Sequence, residues 1–205
     1  MLFSNFPFSK ALLKAISEKN YTTPTAIQKK VIPLVLESND VMAKAQTGSG
    51  KSASFVLPLL ELLAQKKSKD TFKKPRIRIL VLTPTRELTL QIAQDFDSFS
   101  RFQTKPVKTV SLIGGENIGQ QLFDIQQGCD VLVATSGRFI DILSKKQTNL
   151  THIEFLVLDE ADKMLDLGFA QELQSVLDSL PTKRQNLLFS ATYPQKMIQI
   201  AKRIT

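Results

Sequence analysis

An octapeptide near the N-terminal end reads Ala45-Gln46-Thr47-Gly48-Ser49-Gly50-Lys51-Ser52 and joins a short apolar run, 41–43, to an apolar segment of helical character, 53–60. Strand, glycine-rich loop and helix is the context in which a phosphate-binding loop forms. Gly48 and Gly50 allow successive backbone N–H groups to turn toward phosphate oxygens. The following helix adds its N-terminal amides and the positive end of its dipole. Lys51 can reach the terminal phosphates, and Ser52 can offer a hydroxyl to Mg²⁺.

All eight residues of this loop are therefore predicted to bind a nucleotide. The strict pattern has glycine in the first position, where this chain has Ala45. The alternative interpretation is a surface turn that carries a single lysine, since short motifs also arise by chance.

Composition indicates a globular protein of the cytosol. The chain has 205 residues, of which 42% are hydrophobic and 22% charged, which is enough for a sizeable core and argues against global disorder. We find neither a run of about 20 apolar residues that could span a bilayer nor a signal peptide, so no membrane association is expected. The one cysteine, Cys129, precedes a predicted strand and is interpreted as a small core residue.

The net charge of +8 favours a polyanionic partner, although net charge alone does not locate a binding surface. The densest basic run covers 66–76 and includes Lys66, Lys67, Lys69, Lys73, Lys74 and Arg76. It lies between a predicted helix and a predicted strand and contains a proline, so a solvated loop is favoured over a nucleic-acid contact.

Downstream of the loop, β-type and helical patterns alternate. Strands are predicted at 77–83, 107–113, 131–134, 155–158 and 186–189, and helices at 86–99, 117–127, 137–144, 170–180 and 194–204. This alternation predicts an α/β fold with a mostly parallel sheet and helices on both faces. We expect one domain, in which residues 1–38 form an N-terminal helical extension of the nucleotide-binding unit 39–205.

The apolar run 155–158 ends in Asp159-Glu160-Ala161-Asp162. Carboxylates at the end of a buried strand are costly unless they meet water or cations. Beside a phosphate loop, Asp159 is predicted to hold Mg²⁺ and Glu160 to orient or deprotonate the attacking water. The alternative is an ordinary helix start, because Asp is common at N-caps and in first turns.

The phosphate loop, Asp159-Glu160-Ala161-Asp162 and Ser190-Ala191-Thr192 follow one another in this order. In this arrangement the chain resembles the first RecA-like domain of a DEAD-box ATP-dependent RNA helicase over nearly its whole length. The resemblance implies a RecA-like P-loop fold, ATP and Mg²⁺ as cofactors, and RNA as partner. That RNA would be single-stranded or locally duplex and bound without sequence preference. The resemblance also implies a coupling role for Asp162, Ser190, Ala191 and Thr192, with the hydroxyls bonding near Asp162.

The segment Tyr21-Thr22-Thr23-Pro24-Thr25-Ala26-Ile27-Gln28 resembles the adenine-recognition motif of this family, with Asn20 where glycine is usual. The resemblance implies that Tyr21 belongs to the nucleotide site, that Gln28 reads the adenine by paired hydrogen bonds, and that Phe3 stacks on the base. Phe6 and Phe8 are expected to be core residues of the extension.

Three turns resemble the RNA-contacting motifs of the family. They are Pro84-Thr85-Arg86-Glu87-Leu88, with Pro84, Thr85 and Arg86 as the predicted contacts, Gly114-Gly115, and Thr135-Ser136-Gly137-Arg138, the last with Ser136 where proline is usual. Hydroxyls, glycine amides and arginines suit sugar–phosphate contacts, which position a strand without reading its sequence. Each turn taken alone could be an ordinary strand-to-helix connection.

The resemblance also implies a second RecA-like domain, which would supply arginines to the ATP site; the chain ends at Thr205, about where that domain begins in the family.

Two functions other than an RNA helicase stay open at this point. One is a different P-loop NTPase, although a GTPase would show an Asn-Lys-x-Asp-type guanine reader, which this sequence lacks. The other is a non-catalytic RNA-binding module, which would leave Lys51, Asp159 and Glu160 without a role. The only histidine, His152, is expected at the surface or in a cap rather than in catalysis.

Overall fold

A computed structural model describes residues 1–46, 48–67, 74–145 and 148–193, together with 198, 200 and 202. Thr47 of the predicted phosphate loop, the centre of the basic run (68–73) and most of the predicted closing helix (194–204) lie outside the described residues.

Six parallel strands form one sheet in the order β1-β6-β5-β2-β4-β3. The strands are β1 Val41–Lys44, β2 Ile79–Thr83, β3 Thr109–Leu112, β4 Val131–Thr135, β5 Phe155–Leu158 and β6 Gln185–Ser190. Each was predicted within two residues at either end. The predicted parallel α/β sheet is confirmed.

The helices follow the strands in alternation. They are α1 Lys10–Glu18, α2 Ala26–Leu36, α3 Lys51–Lys67, α4 Arg86–Ser100, α5 Ile118–Gln126, α6 Ser136–Ser144, α7 Ala161–Asp166 and α8 Ala170–Ser179, and a short 3-10 helix, Phe3–Asn5, precedes them. A helix start at α7 was considered only as the alternative interpretation of the carboxylates, because its six residues are too few to show a helical period. The sequence analysis also began α3 at Ala53, two residues late.

Apolar side chains cover both faces of the sheet, because successive residues of each strand point to opposite sides. Along β4, Val131 and Val133 join the cluster that packs under α1 to α4, whereas Leu132 and Ala134 join the cluster under α6 to α8. Helices therefore lie on both faces, as predicted.

The N-terminal extension belongs to the first of these clusters. Phe6 and Phe8 are buried there beside Leu12 and Val31, which confirms their predicted core role. Cys129 is buried in the other cluster, and desolvation raises the pKa of its thiol to about 12. A thiol in that state is an inert core residue, as predicted.

Parallel pairing brings the carboxyl ends of all six strands to one edge of the sheet. Lys44 lies opposite Ser190, Leu82 opposite Leu158, and Thr83 opposite Thr135. This edge is where ligands bind in open α/β sheets. Within the part of the chain described, no helix is long and apolar enough to cross a membrane.

Candidate nucleotide site and nucleic-acid interface

The glycine-rich loop joins β1 to α3 at the carboxyl edge of the sheet. Gly48 and Gly50 both have φ of 81°, a left-handed conformation that favours glycine. Ala45 is buried, and its N–H donates to the carbonyl of Ser190 at 3.1 Å. The exposed Gln46 accepts hydrogen bonds from both the N–H and the hydroxyl of Ser49 through its carbonyl. This hydrogen bonding closes the turn that leads into α3.

Lys51 is the first residue of α3, and its buried side chain meets the two carboxylates at the end of β5. Its Nζ lies 2.6 Å from Oδ1 of Asp159 and 3.7 Å from Oε1 of Glu160. Ser52, half-buried, follows in the first turn of the same helix. The structure thus brings together the three residues predicted to be catalytic, and Ser52 lines the same crevice as Lys51 and Glu160.

Asp159 is fully buried, and desolvation raises the pKa of its carboxyl against the opposing charge of Lys51. Apart from the ion pair with Lys51, neither of its carboxylate oxygens has a well-aligned hydrogen-bond donor among the described residues. A buried carboxylate whose charge is met mainly by one lysine suits a hard cation, and Mg²⁺ in nucleotide sites typically takes one or two protein oxygens and completes its shell with phosphates and water. The residues present therefore fit Mg²⁺, although no cluster of three His, Cys, Asp or Glu side chains exists among the residues searched.

Glu160 adopts a left-handed backbone conformation with φ of 53°, which is unusual for a residue with a side chain. Its Oε2 accepts from Nζ of Lys163 at 2.8 Å, and this hydrogen bond raises the pKa of the Lys163 ammonium. Strained backbone of this kind persists only where the surroundings enforce it and concentrates at functional sites. Glu160 is thereby aimed at Lys51 and the loop instead of continuing the strand.

Gln28 is buried against the phosphate loop. Its Oε1 accepts from the N–H of Thr25 at 2.8 Å, which completes a capping box for α2, and its Nε2 donates to the carbonyl of Gly50 at 3.0 Å. A Cβ at position 50 would lie only 2.7 Å from that Nε2. Each end of the amide keeps one further hydrogen-bonding position. Adenine reading by Gln28 stays a prediction, and the structure adds a direct contact between this residue and the loop.

The two aromatic residues predicted for the nucleotide site differ in exposure. Phe3 is 3% exposed and packs on the rings of Phe6 and Tyr21, so its ring is part of the core in this structure. Tyr21 is 39% exposed, and it packs edge-on against Phe99. Of the two, Tyr21 offers the accessible ring.

The predicted RNA-contacting turns converge at the other half of the same edge, where β2, β4 and β3 are neighbours. A cavity of about 420 Å³ lies between them. Its lining includes Pro84, Arg86, Gly114, Gly115, Thr135, Gly137 and Arg138, together with Asp141 and Phe169. Thr85 and the buried Ser136 are absent from that lining. Thr85 caps α4 by accepting from the N–H of Leu88 at 3.3 Å.

Asp162 connects the end of β5 with the end of β6. Its Oδ2 accepts from both the N–H of Thr192, at 3.0 Å, and its hydroxyl, at 3.1 Å. Burial alone would raise the pKa of Asp162, but the hydrogen bonds that its carboxylate accepts, chiefly from Thr192, outweigh it and lower that pKa. Ser190 also donates to the carbonyl of Thr192 at 2.5 Å, and Ala191 between them is exposed. The hydroxyl of Thr192 makes the predicted contact with Asp162, whereas the hydroxyl of Ser190 bonds to the backbone.

Comparison with known proteins accounts for this arrangement. The sequence model of the DEAD/DEAH box helicases matches residues 25–200. The chain belongs to this family. It is 42% identical over 200 residues to the ATP-dependent RNA helicase DBP10 of Meyerozyma guilliermondii and 40% identical to that of Schizosaccharomyces pombe, in each case over 98% of its own length. A crystal structure of a DEAD box protein from the hyperthermophile Methanococcus jannaschii superposes with a TM-score of 0.90 at 36% identity and covers 100% of this chain.

The match covers only part of each relative. The chain spans 21% of the Meyerozyma helicase, 23% of the Schizosaccharomyces helicase and 54% of the archaeal chain. This DEAD-box chain therefore corresponds to one portion of longer proteins.

Two departures from the usual family pattern have a structural explanation. Asn20 adopts φ of 59° directly after α1, a conformation that glycine adopts freely and asparagine tolerates best among the other residues. Ser136 is buried at the first position of α6, where proline is also common. Its hydroxyl lies 3.0 Å from the sulfur of Met164 and 3.4 Å from the carbonyl of Thr83, so the serine ties α6 to α7 and β2.

Some residues at these sites were not predicted from the sequence. Leu88, Gln91 and Asp95 of α4 line a crevice of about 250 Å³ with Tyr21 and the phosphate loop. Asp95 pairs with Lys19 at 3.3 Å, although burial still raises the pKa of its carboxyl. Their i, i+3, i+7 spacing puts them on one helix face, which was the available signal. His152, half-buried beside the guanidinium of Arg76, is not near either site.

Proposed function

We propose that this chain is the ATP-binding domain of an ATP-dependent RNA helicase. It binds ATP with Mg²⁺ and the sugar–phosphate backbone of single-stranded RNA, and it hydrolyses ATP to separate short RNA duplexes when joined to a second RecA-like domain. The observation that carries the proposal is the buried contact of 2.6 Å between Lys51, at the start of α3, and Asp159, at the end of β5. The names of the yeast relatives support the choice of ATP and RNA.

Nucleotide binding begins with an exchange of partners. The phosphates of ATP would occupy the loop between Gly48 and Gly50 and attract the Lys51 ammonium away from Asp159. The N-terminal amides and dipole of α3 add to this attraction. Tyr21 and Gln28 flank the loop on the side of the base, where the free amide positions of Gln28 suit the edge of adenine.

Once released from Lys51, Asp159 and Glu160 would contact the metal and the attacking water. Ser52 and Asp159 would hold Mg²⁺, which supplies charge neutralisation at the phosphates when bound. Glu160, restrained by its left-handed backbone and by Lys163, is in position to orient a water molecule and accept its proton.

Hydrolysis needs further positive charge opposite the γ-phosphate. Arg86 and Arg138 lie at the ends of β2 and β4, in the cavity proposed for RNA, and not beside Lys51. An arginine from elsewhere is typically worth about 10³–10⁵ in phosphoryl-transfer rate. We infer that a second RecA-like domain supplies this arginine and the other half of the RNA groove. Location in the cytosol stays a prediction.

A nucleotide-dependent thermal shift tests the proposal and its competitors. ATP with Mg²⁺ should raise the melting temperature more than GTP, and omission of Mg²⁺ should reduce the shift. An equal shift with GTP would favour another P-loop NTPase. No shift with any nucleotide would favour a non-catalytic RNA-binding module.

A further inference from the structure

The glycine-rich turn after β3 ends in an acidic residue, Glu116, which contacts two arginines that line the cavity proposed for RNA. Its Oε1 accepts from Nη2 of Arg86 at 3.2 Å, and its backbone carbonyl accepts from Nη2 of Arg138 at 3.1 Å. One residue thus contacts both arginines assigned to RNA phosphates, through two different acceptors.

The surroundings hold the two arginines differently. Nη1 of Arg138 donates to Oε1 of Gln121 at 3.1 Å, and the buried Gln121 in turn donates to the carbonyl of Ile113 at 3.1 Å. The position of Arg138 is therefore set mainly by a buried amide. Arg86 lies over Gly115, which has φ of 80° and whose missing side chain leaves the space for Nη1. The acidic partner of Arg86 is the carboxylate of Glu116.

We propose that Glu116 is an internal substitute for an RNA phosphate, holding Arg86 when RNA is absent and competing with the RNA backbone for it. The proposal rests on the proposed function above. A carboxylate and a phosphate both present paired oxygens to a guanidinium, so the two ligands use the same donor geometry. Asp141, which also lines the cavity, adds to the negative field but has no hydrogen bond to Arg86 in the described part of the chain.

The exposure of the pair suits a contact that RNA can displace. The side chains of Arg86 and Glu116 are 47% and 54% exposed, so solvent and salt weaken their attraction. When RNA binds, Arg86 exchanges one anion for another, and Glu116 is left close to the phosphates. RNA binding is then weaker than it would be with a free arginine. It also depends less on salt, because the released carboxylate takes up a cation while the RNA releases one.

Removal of the charge should therefore tighten RNA binding. We expect Glu116→Gln to lower the Kd for a single strand by roughly two- to fivefold at low salt, the upper part of the range for an exposed ion pair. The dependence of log K on log salt concentration should become steeper by at most ~0.7, the value for one additional phosphate contact on a single strand. The tightening should disappear when Arg86 is also replaced by alanine.

The test uses this chain joined to a second RecA-like domain, with a non-hydrolysable ATP analogue present. Fluorescence anisotropy with a labelled uridine oligonucleotide, across a range of KCl concentrations, compares wild type, Glu116→Gln, Arg86→Ala and the double variant. Asp124→Asn is the matched control, since it removes one charge from α5, where Asp124 bonds only to Gln120 among the described contacts.

Tightening by Glu116→Gln alone, lost in the double variant and absent in the control, supports the inference. The inference is overturned if Glu116→Gln does not tighten binding, if the tightening persists without Arg86, or if it occurs equally in Asp124→Asn. In each of these cases the RNA function still stands if Arg86→Ala weakens binding. If wild type does not bind the oligonucleotide and Arg86→Ala changes nothing, the proposed RNA function itself has failed, and this inference with it.

Discussion

Nζ of Lys51 lies 2.6 Å from Oδ1 of Asp159, so the phosphate-loop lysine and the first residue after β5 form a buried ion pair across the two halves of the nucleotide site. Neither charge is well hydrated there, and each is compensated mainly by the other. In the proposed mechanism, nucleotide binding replaces this pair with two new ones, lysine with phosphate and carboxylate with metal.

Replacement of Lys51 should therefore weaken nucleotide binding. Lys51→Ala removes a charge-assisted contact commonly worth about 1.5–3 kcal/mol, so affinity for ATP and ADP should fall at least several-fold in isothermal titration calorimetry. It also leaves the buried Asp159 without its cation, and the free energy of unfolding should fall as well. Lys163→Ala, which removes an exposed cation beside Glu160, is the control and should bind nucleotide nearly as wild type does. Unchanged binding by Lys51→Ala would mean that the loop is not the phosphate site.

Gln28→Ala should weaken ATP binding and reduce the preference for ATP over GTP. The same substitution removes the bond to Gly50 and half of the capping box, so we also expect a loss of about 1 kcal/mol in the free energy of unfolding, with the fold retained. Competition titrations with both nucleotides, at a temperature well below the melting transition, separate the two effects. Equal affinity of the wild-type chain for ATP and GTP would rule out an adenine reader.

Asp162 should make stability depend on pH. Its pKa is lowered in the folded state, so its contribution is fully present above the ordinary value of 3.8 and is lost as the pH falls through the folded-state pKa. Asp162→Asn should cost about 1 kcal/mol of unfolding free energy at neutral pH, because it weakens the charge-assisted bonds from Thr192. Urea unfolding should show this difference shrinking in acid, whereas Asp166→Asn on the exposed side of α7 should show little difference at any pH. A deficit that persists undiminished in acid would contradict the assignment.

The residue before Tyr21 offers a test of backbone strain. Asn20 and Ser38 have φ of 59° and 63°, each just after a helix. Asn20→Gly should raise the free energy of unfolding by about 0.5 kcal/mol, and Ser38→Gly by about 1 kcal/mol, since asparagine tolerates this conformation better than serine. Chemical denaturation measures both. A loss of stability in either variant would show that the side chain contributes more than the strain costs.

The sheet was predictable from sequence because each strand is a nearly continuous apolar run bounded by polar turns. The order of the strands in the sheet could not be predicted, because an apolar run such as Ile79–Thr83 does not indicate which strands flank it. Periodicity also failed for α7, because its six residues are too few to show a helical period.

The site was predictable where a residue type is required by chemistry. Lys51, Asp159 and Glu160 meet in the structure because the strands that carry them end at the same edge. Contacts made by residues outside any motif were not predictable. Glu116 and Asp95 are acidic residues outside any motif, so the sequence predicts only that they are solvated. Their contacts follow from the packing of α4 against the loops.

Phosphate release with and without single-stranded RNA tests the central claim most directly. The 205-residue chain should bind ATP but release almost no phosphate in response to RNA, because Arg86 and Arg138 lie in the RNA cavity and no arginine lines the crevice at Lys51 within the described residues. Joining a second RecA-like domain should restore RNA-stimulated release, and Glu160→Gln in that longer protein should abolish it while preserving ATP-dependent RNA binding. Robust RNA-stimulated release by the 205-residue chain alone would show that its catalytic site is complete and would contradict this account.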